Sequence, residues 1–568
     1  MNTQTLIAQF EQIIGKQNVL TQESKTEYYR SGFRSGQGKA LAVLFPNSLI
    51  EQWHLLEAAV AANCIIIMQA AKTGLTEGSA PSGDDYDREV VIINITRIKT
   101  LHLIDSGKQI ISLPGVSLHQ LGKTLAEVNR APHSVIGSST IGATVVGGIA
   151  NNSGGALVKR GPAYTEQALF ARVTKEGKLE LVNHLGIDGL GDTPEEILTN
   201  IETGNFKPEQ IQHNGAMASD HEYDQRVRDV EADTPSRFNA DARRLFEASG
   251  CAGKLAVFAV RVDTYPVPEK EQLFYIGCND PAKLTMLRRD MLSQFENLPE
   301  MGEYMHRDIF NLAEKYGKDV FLSIHHLGTD NLPKFFALKA KVETLLKRIP
   351  LVSKYLPDIM LYWISKLFPQ HLPARMLEFR DKYEHHLILK MSDGGIEEAK
   401  QYLENVWSQQ QDCESFVCSA DEGKKALLHR FAAAGAAIRY EAIHSNDVEE
   451  ILALDIALRR NDIDWVEQLP EEITKDMVMA LYYGHFMCHV FHQDYIFKKG
   501  ADTKKIKALM LKLLTEKGAK YPAEHNVGHL YEAERQLQEF YHSLDPTNTF
   551  NPGIGKMSKY KRNCSCCG

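Results

Sequence analysis

Three stretches of glycine and small residues, set among apolar runs, constrain this chain more than any other feature. The first runs Ala70-Ala71-Lys72-Thr73-Gly74-Leu75-Thr76-Glu77-Gly78-Ser79. The second extends from Gly137 to Gly155 and holds six glycines, with Thr144 among them and Gly154 near its end. The third, Gly250-Cys251-Ala252-Gly253, runs into an apolar segment through Val257. Ordered glycine costs chain entropy, so this density implies that something bulky approaches the backbone closely. Successive amide N–H groups in such loops can cradle a pyrophosphate. One such loop alone would read as a tight turn; three in series do not. The chain holds no G-x-G-x-x-G and no G-x-x-x-x-G-K-[ST], which removes the main support for a Rossmann or P-loop site.

Around the loops the pattern alternates between strand and helix. The runs 41–45, 64–69, 90–95 and 109–113 are short and apolar, as buried strands are. Between the first two, Ser48 and Glu51 have capping-box spacing, and Trp53, Leu56 and Val60 recur at helical intervals. That is a β-α-β opening, and the expected class is α+β.

Other features narrow the setting. With 568 residues there is material for several domains and a large core. A net charge of −9 gives no reason to expect nucleic acid as a partner. The cysteines number nine and most are scattered, which suits a reducing compartment. Cys564, Cys566 and Cys567 read as a frayed end, with metal binding or lipid attachment as the alternatives. Leu6, Phe10, Ile13 and Ile14 have helical spacing, and the N-terminus lacks the basic start and cleavage site of a signal peptide. No window holds the roughly 18 uncharged apolar residues of a spanning helix. The expectation is a protein that is cytosolic or lies on a membrane without crossing it.

Residues 333–382 change character. Ten Lys/Arg face four acids there, and Phe335, Leu345, Ile359, Trp363, Leu367 and Phe368 are interleaved with them. Basic and apolar faces together suit an anionic lipid surface; a solvated helical pair is the alternative.

The last third carries histidines. His485 and His492 lie in Tyr482–Asp494, and Glu524-His525 in Pro522–His529. His485 and His492 read either as metal ligands or as hydrogen-bonded core residues on a strand. His325-His326 and His385-His386 read as structural, since sequence neighbours rarely converge on one metal. Arg430 and Arg439 flank the small-residue run 431–438. Either could meet a carboxylate in bidentate fashion, although an ion pair is the commoner role.

The segments AAKTGLTEGS, IGSSTIGATVVGGIANNSGG and GCAGKLAVFAV resemble the FAD-contacting segments of the vanillyl-alcohol-oxidase-type flavoprotein superfamily. PHSVIGSS, NNSGG and GFRSGQG resemble its membrane-associated, quinone-dependent D-lactate dehydrogenases. The likeness runs along nearly the whole chain. It implies an FAD-binding domain over 1–265, a cap over 266–325 and 383–519, a basic membrane-binding insertion over 326–382, and a return to the FAD domain over 520–568. Flavin contacts carried over are Ala70, Ala71, Lys72, Thr73, Gly74, Gly78, Ser79, Gly137, Thr144, Gly154 and Val257. The first two loops contain neither His nor Cys, so FAD is expected without a covalent link.

The histidine stretches resemble the G-H-x-G-D-G-N-x-H and G-E-H-G-x-G motifs of flavin-dependent D-2-hydroxyacid dehydrogenases. The first departs in its centre, where this chain has Met487-Cys488-His489-Val490. The resemblance implies His525 as the base, with Glu524 beside it, and a divalent metal on His485, His492 and Glu524. Arg439 is taken as the substrate-carboxylate residue. The implied reaction is D-lactate to pyruvate, with electrons passed to a membrane quinone at the cytoplasmic face of a bacterial inner membrane. The rivals are another D-2-hydroxy acid (glycolate, 2-hydroxyglutarate) and a non-catalytic membrane-surface protein with a decayed flavin fold.

Overall fold

The computed structural model describes residues 2–134, 141–327 and 355–562. Gly137, the most basic part of the insertion and the three terminal cysteines lie outside the described residues.

The expected β-α-β opening is present. Ala42–Leu44, Val90–Asn94 and Ile65–Gln69 pair in parallel, and Val19–Leu20 adds an antiparallel edge. Both faces of this sheet are covered, so its strands are apolar throughout. Val43, Ile65, Ile67 and Ile92 pack on one side; Leu44, Ile66, Val91 and Ile93 pack on the other. Helix Leu49–Ala61 connects Ala42–Leu44 to Ile65–Gln69, and Ser48 Oγ accepts from Glu51 N at 3.1 Å. The capping box is only half formed, because Glu51 Oε2 accepts from Asn47 N instead, at 2.7 Å. The N-terminal helix Thr3–Ile14 buries Leu6, Phe10 and Ile14 against the same core.

A second, five-stranded antiparallel sheet follows in the order Leu101–Ile104, Gln109–Ser112, Ala256–Asp263, Ala168–Val173, Leu179–Asn183. After the short strand Tyr265–Pro266, which pairs with Arg130–Ala131, strand Glu271–Cys278 belongs to a different sheet. That sheet is antiparallel and seven-stranded: Cys413–Val417, Glu271–Cys278, His385–Ser392, Met301–His306, Met477–His485, Val490–Lys498, Val448–Ala457. One of its faces packs an apolar core that includes Leu284, Trp407 and Phe491. The other is covered by helices Arg307–Tyr316 and Ala420–Ile443.

The chain then comes back to where it began. Phe550 bridges to Ile66, and Asn551 N donates to Ile66 O at 3.0 Å. Asp545, fully buried, accepts from the amides of Thr549 and Phe550 at 3.0 and 2.7 Å. From the third glycine stretch, Lys254 Nζ donates to Asn548 Oδ1 and Phe550 O at 3.0 and 2.9 Å. This return carries Glu524 and His525 to the glycine loops. Among the described residues no helix is long and apolar enough to cross a membrane, and all six cysteines are free and buried.

Candidate active site

The three glycine stretches, far apart in sequence, meet in space. A Cβ placed on Gly142 would lie 3.8 Å from Ala71, so the first two loops face each other. Ala252 N donates to Ala150 O at 2.8 Å, joining the third to the second. Asn551 Nδ2 spans the first and third, donating to Gly78 O and Ala252 O at 2.7 and 2.9 Å. Thr144 caps helix Val145–Ala150 through Gly147 N at 3.1 Å. Val257 lies on the strand into which the third loop runs. Among the described residues nothing lies within 4 Å of a Cβ built on Gly74, so the backbone there has open space beside it. Small residues around open space fit a cofactor that approaches the main chain. Lys72 does not aim its ammonium there. Its Nζ donates to Tyr28 O and Ser31 O at 2.5 and 2.8 Å, closing the last turn of helix Glu23–Arg30, and burial depresses its pKa to about 8.

Beside these loops lies a polar cluster. Glu524 is 7 % exposed and touches both sides of the molecule. Its Oε1 accepts from Arg237 Nη2 at 2.8 Å, and its Oε2 faces His485 Nε2 at 3.4 Å and His492 Nε2 at 3.8 Å. The glycine at 154 makes room: a Cβ there would sit 2.3 Å from Glu524 Oε1. His485 and His492 are on two strands, not one. Met477–His485 turns through Phe486–Cys488, with His489 at φ 56°, into Val490–Lys498. Tyr483 pairs with His492 and His485 with Val490, so the two imidazoles are diagonal neighbours on one face, their Nε2 atoms 3.4 Å apart.

Each imidazole is held from behind. Glu303 Oε1 lies 2.6 Å from His485 Nδ1, and Asp455 Oδ1 lies 3.3 Å from His492 Nδ1. A carboxylate on one ring nitrogen with the other aimed at a shared point is how proteins orient metal-binding histidines. The ligand atoms of His485, His492 and Glu524 lie within 4.8 Å of one another. Donor type and spacing therefore fit a divalent ion. The electrostatics agree. Burial alone would drive His485 down, but Glu303 and Glu524 together raise it to about 10. Burial opposes the charge on Glu524, yet His485 and Arg237 hold its pKa well below the usual range. The carboxylates thus demand a cation between them, a proton on His485 or a metal ion.

His525 stands at the edge, 30 % exposed at its side chain, with Nε2 3.9 Å from Asp455 Oδ2. Arg430 reaches in from helix Ala420–Ile443: its Nε is 3.0 Å from Glu303 Oε2, off-line for a hydrogen bond, and its guanidinium lies 4.7 Å over the Tyr483 ring. Arg439 is not brought to this group. It is nine residues along the same helix, about 13 Å of rise, and its guanidinium pairs with Asp319 at 2.7 Å and Asp358 at 2.9 Å. Arg237, Glu303 and Asp455 join the site without any local sequence signal.

A family model described as D-lactate dehydrogenase, membrane binding, matches residues 273–563, and an FAD binding domain model matches 40–180. A quinone-dependent D-lactate dehydrogenase from Escherichia coli is 58 % identical over 560 residues, 99 % of this chain and 98 % of that one. One from Corynebacterium glutamicum is 44 % identical over 97 % of this chain and 96 % of its own. The chain belongs to the quinone-dependent D-lactate dehydrogenase family. Members of this family share a fold with more distant flavoproteins. A 4-ethylphenol oxidase from Gulosibacter chungangensis superposes with TM-score 0.57 at 12 % identity, covering 98 % of this chain and 97 % of that one. p-Cresol methylhydroxylase superposes with TM-score 0.56 at 11 % identity over the same shares. At such identities the likeness speaks for the fold alone, an FAD-binding fold of the vanillyl-alcohol-oxidase type. The family's membrane-binding region in this chain includes the described helices Leu356–Ser365 and Ala374–Lys382.

Proposed function

We propose that this chain oxidises D-lactate to pyruvate on FAD and passes the electrons to a membrane quinone, with the reaction centred on Glu524. The observation that carries this reading is the meeting, at one carboxylate, of the glycine loops, the C-terminal return and the His485/His492 hairpin. The domain division given above, with FAD bound non-covalently over the loops through residues including Thr73 and Ser79, is part of the same reading.

Bound FAD supplies a hydride acceptor, which no side chain can be. The protein supplies the rest. His525 is assigned as the base that takes the hydroxyl proton; its partial exposure beside Asp455 supports this, and an imidazole is suited to the task. Arg430, rather than Arg439, is assigned to the substrate carboxylate: it reaches the cluster beside Glu303, whereas Arg439 is turned away to Asp319 and Asp358. His485, His492 and Glu524 would hold a divalent ion, which would polarise the 2-hydroxycarboxylate. Arg237 keeps Glu524 ionised and fixed. The enzyme would lie on anionic lipid at the cytoplasmic face of the membrane, held through its basic insertion.

An anaerobic absorbance scan before and after adding D-lactate, with L-lactate as control, tests the reading. Bleaching of a flavin band near about 450 nm by D-lactate alone is expected. A band that neither isomer bleaches would move the substrate to another 2-hydroxy acid, and a colourless protein that FAD cannot restore would remove the flavin.

A further inference from the structure

The segment Gly32-Phe33-Arg34-Ser35-Gly36-Gln37-Gly38 lies far from the cluster at Glu524 in sequence but not in space. It folds as a tight hairpin. Ser31 bridges to Gln37, and Gly32 N donates to Gly36 O at 2.9 Å, so Arg34 sits at the tip. Ser35 Oγ donates to Glu77 Oε1 at 2.6 Å, and a side chain at position 36 would collide with the Glu77 carboxylate. The hairpin is therefore pressed on to the first glycine loop. That loop is in turn pressed on to the C-terminal return. Thr76 O accepts from His529 N at 3.0 Å, and a Cβ on Gly78 would lie 2.7 Å from Asn526 Oδ1. Asn526 is the sequence neighbour of His525. Arg34 is thus carried, through Glu77, to the edge of the reaction site.

Its guanidinium is uncommitted. Arg34 is exposed, and among the described residues no hydrogen bond or ion pair holds it. Its charge is nevertheless felt by the cap. Tyr483 Oη donates to Asp494 Oδ2 at 2.9 Å, and both residues are buried. They share a sheet face with His485 and His492, each two residues and so about 7 Å along its strand from one of them. Burial raises the pKa of Asp494, and the charge on Arg34 is the strongest influence opposing it. Burial and Asp494 raise Tyr483, and Arg430 and Arg34 both pull it back. Two guanidiniums therefore flank one hydroxyl, Arg430 from the cap helix and Arg34 from the hairpin. Arg430 has its Nε on Glu303 and its guanidinium over the Tyr483 ring, and no hydrogen bond among the described residues engages its Nη atoms.

We propose that Arg34 is a second substrate-binding residue, donating with Arg430 to the carboxylate of the D-2-hydroxy acid, and that hairpin 31–37 forms one wall of the substrate site. The inference rests on the D-lactate reading above. Each oxygen of a carboxylate accepts more than one hydrogen bond, so two guanidiniums can share it. A cation that served only to neutralise Asp494 would pair with it directly, and Arg34 does not. It is an unpaired cation on a closely packed turn, and a small carboxylate is the partner it lacks. The hairpin belongs to the N-terminal part of the chain and Arg430 to the cap. The acid then joins the two by its carboxylate, while its hydroxyl is left to His525 and the metal-ligand set.

The test uses the full-length, FAD-loaded protein. Anaerobic flavin bleaching is followed by rapid mixing over a range of D-lactate concentrations, which separates half-saturation from limiting rate. In Arg34→Ala the half-saturating concentration is expected to rise at least about tenfold, the scale of a lost charge-assisted hydrogen bond, and the limiting rate to fall much less. Oxalate, a carboxylate with no hydride to give, is titrated as a competitor, and its inhibition constant is expected to rise in the same way. Arg34→Lys, which keeps the charge, is expected to recover part of the loss, as is millimolar guanidinium added to Arg34→Ala. The side chain is exposed and unpaired, so flavin content should match the parent. An unmoved half-saturation, or a fall confined to the limiting rate, would overturn the proposal; loss of flavin with unmoved half-saturation in the remaining holoenzyme would give Arg34 to the cofactor instead. Bleaching of the parent by D-lactate separates the two readings: without it both fall, and with it an unmoved half-saturation removes only the role of Arg34.

Discussion

Glu524 Oε1 accepts a hydrogen bond from Arg237 Nη2 at 2.8 Å, and both side chains are almost wholly out of water. Arg237 also donates to the carbonyls of Gly155 and Leu157, so it pins the second glycine loop to the C-terminal return. Such a pair contributes little net stability, but leaving one partner buried alone costs about 3–5 kcal/mol. Glu524→Gln is therefore expected to destabilise the FAD-loaded enzyme by about that amount, measured by urea unfolding. Arg237→Met should cost as much, and the double variant less than the sum. A single-variant loss well under 1 kcal/mol would show that water reaches this pair.

The glycine at 154 gives a finer probe. A Cβ there would lie 2.3 Å from Glu524 Oε1 and 2.7 Å from its Cδ. A free glutamate would swing aside, but this one is held by Arg237 and by the two histidines. Gly154→Ala is expected to displace the carboxylate and lower the rate of flavin reduction by D-lactate at least about tenfold, the scale of a misplaced site group. Gly122→Ala, in helix Leu118–Ala126 with nothing within 4 Å of its new methyl, serves as control. It should be neutral or stabilising by up to about 1 kcal/mol. Equal effects from the two would separate Gly154 from the carboxylate.

How much of this was readable beforehand depends on range along the chain. The parallel strands, the helix after Ser48 and the convergence of glycine loops are written in local patterns of period, capping and small residues. Glu524, His485 and His492 were picked out by motif. Arg237 was not, because its partner lies 287 residues away and no short-range pattern marks it. The hairpin between the two histidines was missed for a different reason. Its reversal depends on His489 at φ 56°, a conformation glycine or asparagine would have announced. Arg439 was a fair choice by composition, but helical rise carries it away from Arg430 and on to Asp319 and Asp358.

The assignment of base to His525 predicts a kinetic signature. His525→Asn should slow anaerobic flavin bleaching by about 10²–10⁴-fold, the usual contribution of a general base. Flavin content should not change, since the side chain is 30 % exposed and its one ion-pair neighbour, Asp455 at 3.9 Å, is also held by His492. Rapid-mixing absorbance decides this. Bleaching within about twofold of the parent would pass the role to another group.

Metal content tests the hairpin pair directly. The purified enzyme is expected to carry about one divalent ion per chain, a normal loading for a His₂-carboxylate set. Dialysis against a chelator should remove it and lower D-lactate turnover, with recovery on adding the ion back. His492→Ala should lose the ion while keeping flavin. Elemental analysis showing no ion in an active enzyme would leave the protonated His485 as the cation between Glu303 and Glu524.

The buried histidines of the cap predict how stability depends on pH. Burial first, then the neighbouring His371 and His386, lowers the pKa of His429 to about 3, against about 6.5 in an unfolded chain. Between those values the unfolded chain binds a proton that the folded one refuses. Stability contributed by keeping His429 neutral is complete above pH 6.5 and is lost as pH falls towards 3. The slope is at most about 1.4 kcal/mol per pH unit for each such group. His386, also near 3, and His371, near 4, act in the same direction. Other groups titrate in this window too, so the comparison is between parent and variant. In His429→Phe the decline of unfolding free energy from pH 6.5 to 4.5 should be shallower by about 1–1.4 kcal/mol per pH unit, measured by urea titration at each pH. Parallel curves for parent and variant would mean that His429 takes up its proton in the folded protein, and the core around it would then be open to water.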